Sequence, residues 1–344
     1  MRRRHAGGPS RPRQTSKPPA PPSTSCVPGR AEEVQRDAQR TALLAALTTI
    51  VLWASAFVGI RAAGRFFSPG ALTLVRLLIG SVALGVVVLI RREPMPRGRD
   101  WILVLLCGLL WFGAYNVLLN QAEQIVDAGT AAMLVNISPL IIAILSGWLL
   151  NEGFPRRLFA GCAIAFGGSA IIGFATSSHG PQGGLGAVLC VAAAAAYSCG
   201  VTAEKPLLAR VSALNVTWLA CTVGAVLSLP FVPSLAQALN HTDGDALAWA
   251  LYLGLFPTAV GFSFWAFALA RTSAGRMGAL TYLVPPVAIL LGWVFLGVLP
   301  PWLALLGGAL CLADVAIARG VSGRRLLALP LRRRMVRGES HSTG

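Results

Sequence analysis

A single arginine, Arg76, lies about two turns inside a long apolar stretch that begins at Pro69. An arginine in the hydrocarbon of a bilayer costs about 2.5 kcal/mol or more, so it normally faces a cavity or a partner. Its planar guanidinium suits a carboxylate or a phosphate, which favours a counter-ion role toward a bound substrate. The alternative is structural: a tie to helix-end carbonyls or to an acid, or a side chain that reaches the membrane surface.

A second candidate set surrounds a proline in the stretch LVNISPLIIAILSGWLLNEGFP at 134–155. Proline lacks a backbone N–H and displaces a carbonyl of the preceding turn, so Pro139 predicts a kink whose freed carbonyl needs a partner. Asn136 and Ser138 can supply that partner. The kink either lines a cavity or packs between helices, where polar contacts contribute only about 0.6 kcal/mol each.

Aromatic and amide side chains in other apolar stretches could form the wall of an amphipathic cavity, which would hold an organic molecule by contact area. The candidates are Trp53, Tyr115, Asn116, Tyr197, Trp265 and Tyr282, together with Pro285, which repeats Pro139. Ordinary packing, or a belt at the membrane interface, is the competing interpretation. Asp314, well inside the last apolar stretch, is a candidate for coupling to proton movement or else a hydrogen-bonded strut.

The remaining acids and the cysteines favour simpler interpretations. Glu123, Glu152 and Glu204 stand near the ends of apolar stretches, where an interfacial position is the simpler prediction. No His–acid pair, nucleophile elbow or phosphate-binding loop occurs within these stretches, so we predict no enzyme. The seven cysteines form no CxxC pair and the four histidines lie in tails or loops, so we predict no metal site and no cofactor.

The elements that must position these residues are membrane helices. The chain has 344 residues, of which 55% are hydrophobic and 12% charged, roughly half the charge of a soluble domain. A membrane helix needs roughly 20 apolar residues. Ten such spans are predicted, at 42–62, 69–90, 101–123, 128–150, 156–175, 185–207, 213–231, 246–269, 274–297 and 302–318.

Basic residues predict the orientation of these spans. With the amino terminus in the cytoplasm, the inner loops carry ten Arg or Lys residues and the outer loops carry only Arg61 and Arg65. The tails at 1–40 and 320–344 are basic as well, and the first has the composition of a disordered segment. No aromatic–basic module accompanies the arginines, so we predict attraction to anionic lipid and no nucleic-acid binding. The chain is therefore expected to be a multi-pass protein of the cell membrane with both termini cytoplasmic.

The second half of the chain repeats the first. At an offset of 146 residues Pro139 pairs with Pro285, and near the start of each half an offset of 144 pairs Trp53 with Tyr197. Each half holds five predicted spans, and an odd number reverses the second copy in the membrane. The sequence therefore predicts an all-α integral membrane protein with ten transmembrane helices in two inverted five-helix repeats, an arrangement typical of secondary transporters.

The stretch LWASAFVGIRAA of the first span, SPGALTLVRLLIG of the second, and the proline-containing fourth and ninth spans resemble the EamA family of the drug/metabolite transporter superfamily. The resemblance covers two copies, 41–175 and 185–319. It implies a ten-helix transporter with a central cavity, often an exporter of amino acids, metabolites or toxic compounds, and it suggests self-association through the fifth span of each half. In such proteins the ninth span commonly ends in an acid, whereas this chain has Val298 where the fourth span has Glu152.

These features together predict a secondary active transporter that exports a small metabolite or amino acid across the inner membrane by alternating access. Its partners would be a small-molecule substrate and the lipid bilayer, with a homodimer left open. A flippase for a lipid or a polyprenyl phosphate is the alternative within transport. A membrane enzyme, or a non-transporting membrane assembly partner, is the alternative of another class.

Overall fold

The structure is a computed structural model that describes residues 28–122, 125, 134–176, 184–240, 244–296, 302–303 and 305–313. Every regular element among these residues is helical. The chain forms two compact units, residues 1–38 and residues 39–344. The packing that concerns function is all within the second unit. Residues 1–27 of the predicted tail at 1–40, the tail at 320–344 and the acid Asp314 lie outside the described residues. Residues 28–40, which were expected to be disordered, form the start of a helix.

Each half of the chain contains a series of helices and one π-helical segment. The helices of the first half are α1 (Pro28–Ala63), α2 (Pro69–Arg91), α3 (Asp100–Cys107), α4 (Asn116–Ala122), α5 (Ser138–Leu149) and α6 (Arg156–Thr176), with π1 (Gly108–Tyr115) joining α3 to α4. Those of the second half are α7 (Gly184–Leu207), α8 (Ala213–Leu227), α9 (Val232–Leu239), α10 (Gly244–Leu253), α11 (Phe262–Arg271), α12 (Ala274–Leu280) and α13 (Val284–Leu296), with π2 (Gly254–Gly261) joining α10 to α11.

Several of these stretches are long and apolar enough to cross a membrane. In the described part of the chain there are five: Pro69–Arg91, Asp100–Ala122, Gly184–Leu207, Gly244–Arg271 and Ala274–Leu291. The bent pair α8 and α9, with 51° between them, makes a sixth if it forms one span. The prediction of a helical multi-pass membrane protein is therefore confirmed. The count of ten spans stays a prediction, because parts of the fourth and tenth spans lie outside the described residues.

The two π-helical segments occupy equivalent positions, because Gly108 and Gly254 are 146 residues apart. A π-turn is wider than an α-turn and leaves backbone carbonyls poorly paired. Side chains satisfy them here. The Asn116 amide Nδ2 donates to the carbonyls of Trp111 at 3.2 Å and Phe112 at 3.0 Å. In the second half the Thr258 hydroxyl donates to the Leu253 carbonyl at 2.8 Å.

Helix starts repeat between the halves as well. The Ser68 hydroxyl accepts a hydrogen bond from the Ala71 N–H at 3.4 Å and caps α2. The Ser212 hydroxyl, 144 residues later, accepts one from the Asn215 N–H at 3.2 Å and caps α8. A serine at this position satisfies one of the amide groups that have no partner inside the helix. The same local chemistry therefore begins the second helix of each half.

The prolines predicted to kink the fourth and ninth spans lie instead in the first turn of a helix. Pro139 is the second residue of α5 and follows a turn at 136–137. Pro285 is the second residue of α13 and follows a 3-10 turn, Thr281–Leu283. Proline is well tolerated at this position because the N–H it lacks would have no partner inside the helix. The α-helix is therefore irregular just before each proline and resumes there, and the predicted kink of the spans stays a prediction.

Helices α2 and α8 meet where the two halves join. Leu77 and Cys221 are equivalent at the offset of 144 residues, and the Cys221 thiol donates to the Leu77 carbonyl at 3.3 Å. Two equivalent residues of the two halves can contact each other only where they lie next to the pseudo-two-fold axis that relates the halves. One turn further along, the hydroxyls of Ser81 and Thr222 lie 2.6 Å apart. The pair α2–α8 therefore forms the central seam between the repeats.

Two glycines allow neighbouring helices to approach π1 closely. A Cβ at Gly200 of α7 would lie 2.6 Å from the Cβ of Trp111 and 3.2 Å from its backbone nitrogen. A Cβ at Gly224 of α8 would lie 2.6 Å from the Cβ of Phe112. Because the obstructing atoms belong to backbone or to the first side-chain carbon, they cannot rotate away. The positions of Trp111 and Phe112 therefore depend on these glycines.

We expect Gly200→Ala to lower the free energy of unfolding by about 1–3 kcal/mol, because the added methyl group overpacks the contact with Trp111. The matched control is Gly167→Ala in α6, where a Cβ would meet nothing within 4 Å. Alanine has the better helix propensity, so the control should be neutral or slightly stabilising. The measurement is the Tm of the purified protein in detergent. Equal Tm values for the two variants would contradict the proposed close contact.

Candidate functional site

Aromatic side chains from α1, π1, α7 and α11 form one continuous cluster, called here the aromatic cluster. Its members are Trp53, Trp111, Phe112, Tyr115, Tyr197, Phe262 and Trp265. Trp111 is in the middle: its ring centroid lies 6.2 Å from that of Trp53, 5.3 Å from Tyr197 and 5.0 Å from Phe262. Trp53 and Trp265 stack at 5.0 Å. Because π1 and α11 belong to different halves, both repeats build the cluster.

The structure brings together four of the candidate aromatic residues: Trp53, Tyr115, Tyr197 and Trp265. The equivalent residues Trp53 and Tyr197 both contact Trp111. Sequence reasoning did not single out Trp111, because it lies in an apolar run with no polar neighbour to mark it. The signal available in the sequence was the repeat offset of 146 residues. It pairs the segment that contains Trp111 with the segment that forms π2.

Several polar atoms in and around the aromatic cluster are buried without a hydrogen-bond partner. They are the indole Nε1 of Trp53, the Tyr197 hydroxyl, and the carboxyl oxygen Oε2 of Glu204. The Trp265 indole interacts with the Glu204 carboxyl. Buried polar atoms of native proteins are nearly always paired, so each unpaired one needs an explanation. These atoms comprise two donors and one acceptor, a set that suits contact with a small polar molecule.

Glu204 is buried against protein, which sequence reasoning did not anticipate. Only 2% of it is exposed, and it lies in α7 beside the Trp265 indole. It stands three residues before the end of its helix and next to Lys205, a pattern that usually marks the headgroup region, and its position at the membrane interface stays a prediction. Packing by α11 buries the carboxyl, and packing between distant segments is not visible in a local pattern.

The joint between α11 and α12 is held by two charged residues from other segments. The Lys205 amine donates to the carbonyls of Leu269 and Thr272, both at 2.5 Å, at the end of α11. The Glu152 carboxylate accepts from the N–H groups of Ala274 at 2.8 Å and Gly275 at 3.2 Å, at the start of α12. A cation at the carboxyl end of a helix and an anion at the amino end are both stabilised by the helix dipole. We call this arrangement the α11–α12 clasp.

Arg76 is buried, with 7% of it exposed, and its Nε donates to the Thr258 hydroxyl of π2 at 3.2 Å. The arginine therefore joins α2 of the first half to π2 of the second. This contact agrees with the structural alternative for Arg76. The role as a counter-ion for substrate stays a prediction.

The other candidates lie in separate surroundings. Asn116 supports the backbone of π1 through its amide, as described above. Asn136 lies partly exposed in the turn before α5. Tyr282 is buried in a different cluster, with Cys162, Ala165, Ala279 and Cys311. Pro139 and Pro285 fix helix starts. Among the described residues no group of three or more His, Cys, Asp or Glu side chains has the spacing of a metal site.

The model of the EamA-like transporter family matches residues 40–174 and matches again at residues 184–319. The chain belongs to the EamA-like transporter family. The two matches cover both repeats, so the two-repeat architecture expected from the offsets is the family's own. The membership also indicates a transporter rather than an enzyme.

Relatives of this EamA-like transporter carry related names. A protein of Streptantibioticus cattleyicolor named as a probable terminal-alkyne amino-acid exporter is 40% identical over 285 residues, covering 83% of this chain and 95% of that protein. A probable amino-acid metabolite efflux pump of Salmonella typhimurium is 26% identical over 79% of this chain and 92% of its own length. A solved crystal structure superposes with a TM-score of 0.68 at 23% identity, covering 83% of this chain and 99% of the other, which shows a shared fold.

We expect Arg76→Ala to reduce transport by more than about tenfold while the protein inserts and folds normally, because the variant removes the cation that would bind an anionic group of the substrate. Thr258→Val is the matched variant: it removes the hydroxyl that Arg76 contacts but leaves the charge. The measurement is flux into liposomes together with the Tm of each variant. Equal losses of flux in both variants would assign Arg76 a structural role only.

Proposed function

We propose that this EamA-like protein is a secondary transporter that exports an amino acid or a similarly small polar metabolite from the cell by alternating access. The observation that carries the proposal is the aromatic cluster, which both halves of the chain build and which contains buried polar atoms without partners. A site of large apolar faces with a few polar atoms suits a small amphipathic organic molecule. The exporter names of the two relatives support the same substrate class.

We also propose that the chain crosses the membrane ten times, with the second half inverted relative to the first and both termini in the cytoplasm. The π segments and helix caps at constant offsets support two similar five-helix units. The excess of basic residues in the inner loops supports the orientation. In this orientation the α11–α12 clasp lies at the cytoplasmic end of the bundle.

The clasp suits a cytoplasmic gate in such a cycle. It joins the loop after α5 and the end of α7 to the α11–α12 joint. While these bonds hold, the α11–α12 joint cannot move away from α5 and α7. Access from the cytoplasm would require the clasp to open, so its bonds set part of the free-energy difference between the two access states.

The test of transport is a reconstitution. We expect the purified protein in liposomes to move at least one amino acid from a panel of L-propargylglycine, L-methionine and L-phenylalanine, faster when a proton gradient is imposed. L-Propargylglycine represents terminal-alkyne amino acids. Empty liposomes and liposomes with heat-inactivated protein are the controls. If neither these compounds nor a wider panel of nucleosides and drugs is moved in either direction, the proposed function is wrong.

The role of the α11–α12 clasp as a cytoplasmic gate can be tested by removing the Glu152 carboxylate. Glu152→Ala removes two charge-assisted hydrogen bonds of about 1.5–3 kcal/mol each, so it should shift the population toward the cytoplasm-open state by about tenfold or more. The readout is labelling of Cys107, which is fully buried, by a membrane-impermeant thiol reagent. The background has the other cysteines replaced by alanine. Glu93→Ala, in the loop after α2, is the matched control; equal labelling rates in the two variants would contradict the gate.

A further inference from the structure

We propose that Glu204 is the residue that binds the ammonium group of the transported molecule, so that the protein selects substrates with a free amino group. The inference rests on the proposed transport function and names the substrate chemistry of the same site. It starts from one fact: the Glu204 carboxyl is buried in the bundle, and its Oε2 has no hydrogen-bond partner.

A buried carboxyl oxygen without a partner is costly, so a protein retains one where a cation or a donor arrives during function. The neighbouring cation does not fill this position. The Lys205 amine is bound to the Leu269 and Thr272 carbonyls of the α11–α12 clasp. The ion pair between Arg210 and Asp100, at 2.7 Å, does not involve Glu204.

The walls around Glu204 suit an organic cation. The Trp265 indole lies within interaction distance of the carboxyl, and it stacks on Trp53 at 5.0 Å. Tyr197 lies two turns earlier on the same helix as Glu204 and contacts Trp111 at 5.3 Å. Faces of tryptophan and tyrosine attract ammonium groups through their quadrupoles, most strongly where water is excluded. A carboxylate bordered by such rings therefore selects an alkylammonium over a neutral amide or an anion.

The unpaired donors complete the match to an amino acid. The indole N–H of Trp53 and the Tyr197 hydroxyl are buried donors without an acceptor among the described residues. A zwitterion brings an ammonium donor for Glu204 and a carboxylate acceptor for donors of this kind. A molecule that lacks the amino group would leave Oε2 unpaired and the carboxylate uncompensated.

The experiment compares an amino acid with analogues that lack only the ammonium group. Proteoliposomes are loaded with L-propargylglycine, and uptake of labelled L-propargylglycine is competed by the same compound, by its N-acetyl derivative, or by pentynoic acid, which has no amino group. In the wild type we expect the amino acid to compete at least tenfold better than either analogue. In Glu204→Gln we expect this ratio to fall toward one, because the amide has no charge to distinguish ammonium from its absence. L-Methionine and its N-acetyl derivative form a second matched pair.

Further variants separate recognition from folding. Glu93→Gln removes a carboxyl from the loop after α2 and should leave the competition ratio unchanged. Trp265→Phe keeps an aromatic ring but removes the indole N–H, and it should weaken binding of the amino acid severalfold while retaining selection for the ammonium group. Where flux is too low, the Kd of each compound is measured by calorimetry. If Glu204→Gln does not fold, Glu204→Asp replaces it. Because Glu204→Asp keeps the charge, it should retain the wild-type ratio of competition between the amino acid and its analogues.

Each outcome decides a different claim. If the wild type moves none of the amino acids or drugs, the proposed function fails and this inference fails with it. If the wild type moves L-propargylglycine but the N-acetyl derivative competes equally well, transport stands and ammonium selection by Glu204 is overturned. If Glu204→Gln lowers flux but keeps the wild-type ratio, the carboxyl serves folding or proton coupling, and the inference is again overturned.

Discussion

In a bilayer no water is available to hydrogen-bond an exposed backbone group, so every departure from the regular α-helix needs a partner from the protein. This chain departs from the α-helix repeatedly and supplies a partner at each place described. The π1 carbonyls accept from Asn116, and the Leu253 carbonyl accepts from Thr258. The end of α11 binds Lys205 and the start of α12 binds Glu152. The polar residues inside the apolar stretches are largely explained by this requirement.

The same requirement explains where the irregular backbone lies. π1 contributes Trp111, Phe112 and Tyr115 to the aromatic cluster, π2 ends next to Phe262, and the α11–α12 joint adjoins Glu204 through Lys205. Regular helices can pack but have few ways to present polar atoms to a bound molecule, because their own backbone uses its hydrogen-bonding capacity internally. Interrupted helices bring helix ends and extra side chains to the interior. Structural irregularity and binding capacity therefore occur together in this fold.

Much of the architecture could be predicted from the sequence, because membrane helices and repeats leave regular signals. Hydropathy indicates helical spans, and the constant offsets indicate the repeat that the family matches confirm. Trp53 and Tyr197, which pair by offset and were both candidates for a cavity wall, lie in one cluster. The features that the sequence did not indicate share one physical cause. The burial of Glu204 and the central position of Trp111 depend on how distant segments pack, and local composition does not report that packing.

The two π segments bear on the history of the molecule. A π-turn arises when a helix contains one residue more than its α-helical path requires, and removing that residue would restore the regular turn. Gly108–Tyr115 and Gly254–Gly261 have the same length and occupy equivalent positions in the two halves. One insertion in a single ancestral half, inherited by both copies on duplication, accounts for both segments more economically than two independent insertions at the same place.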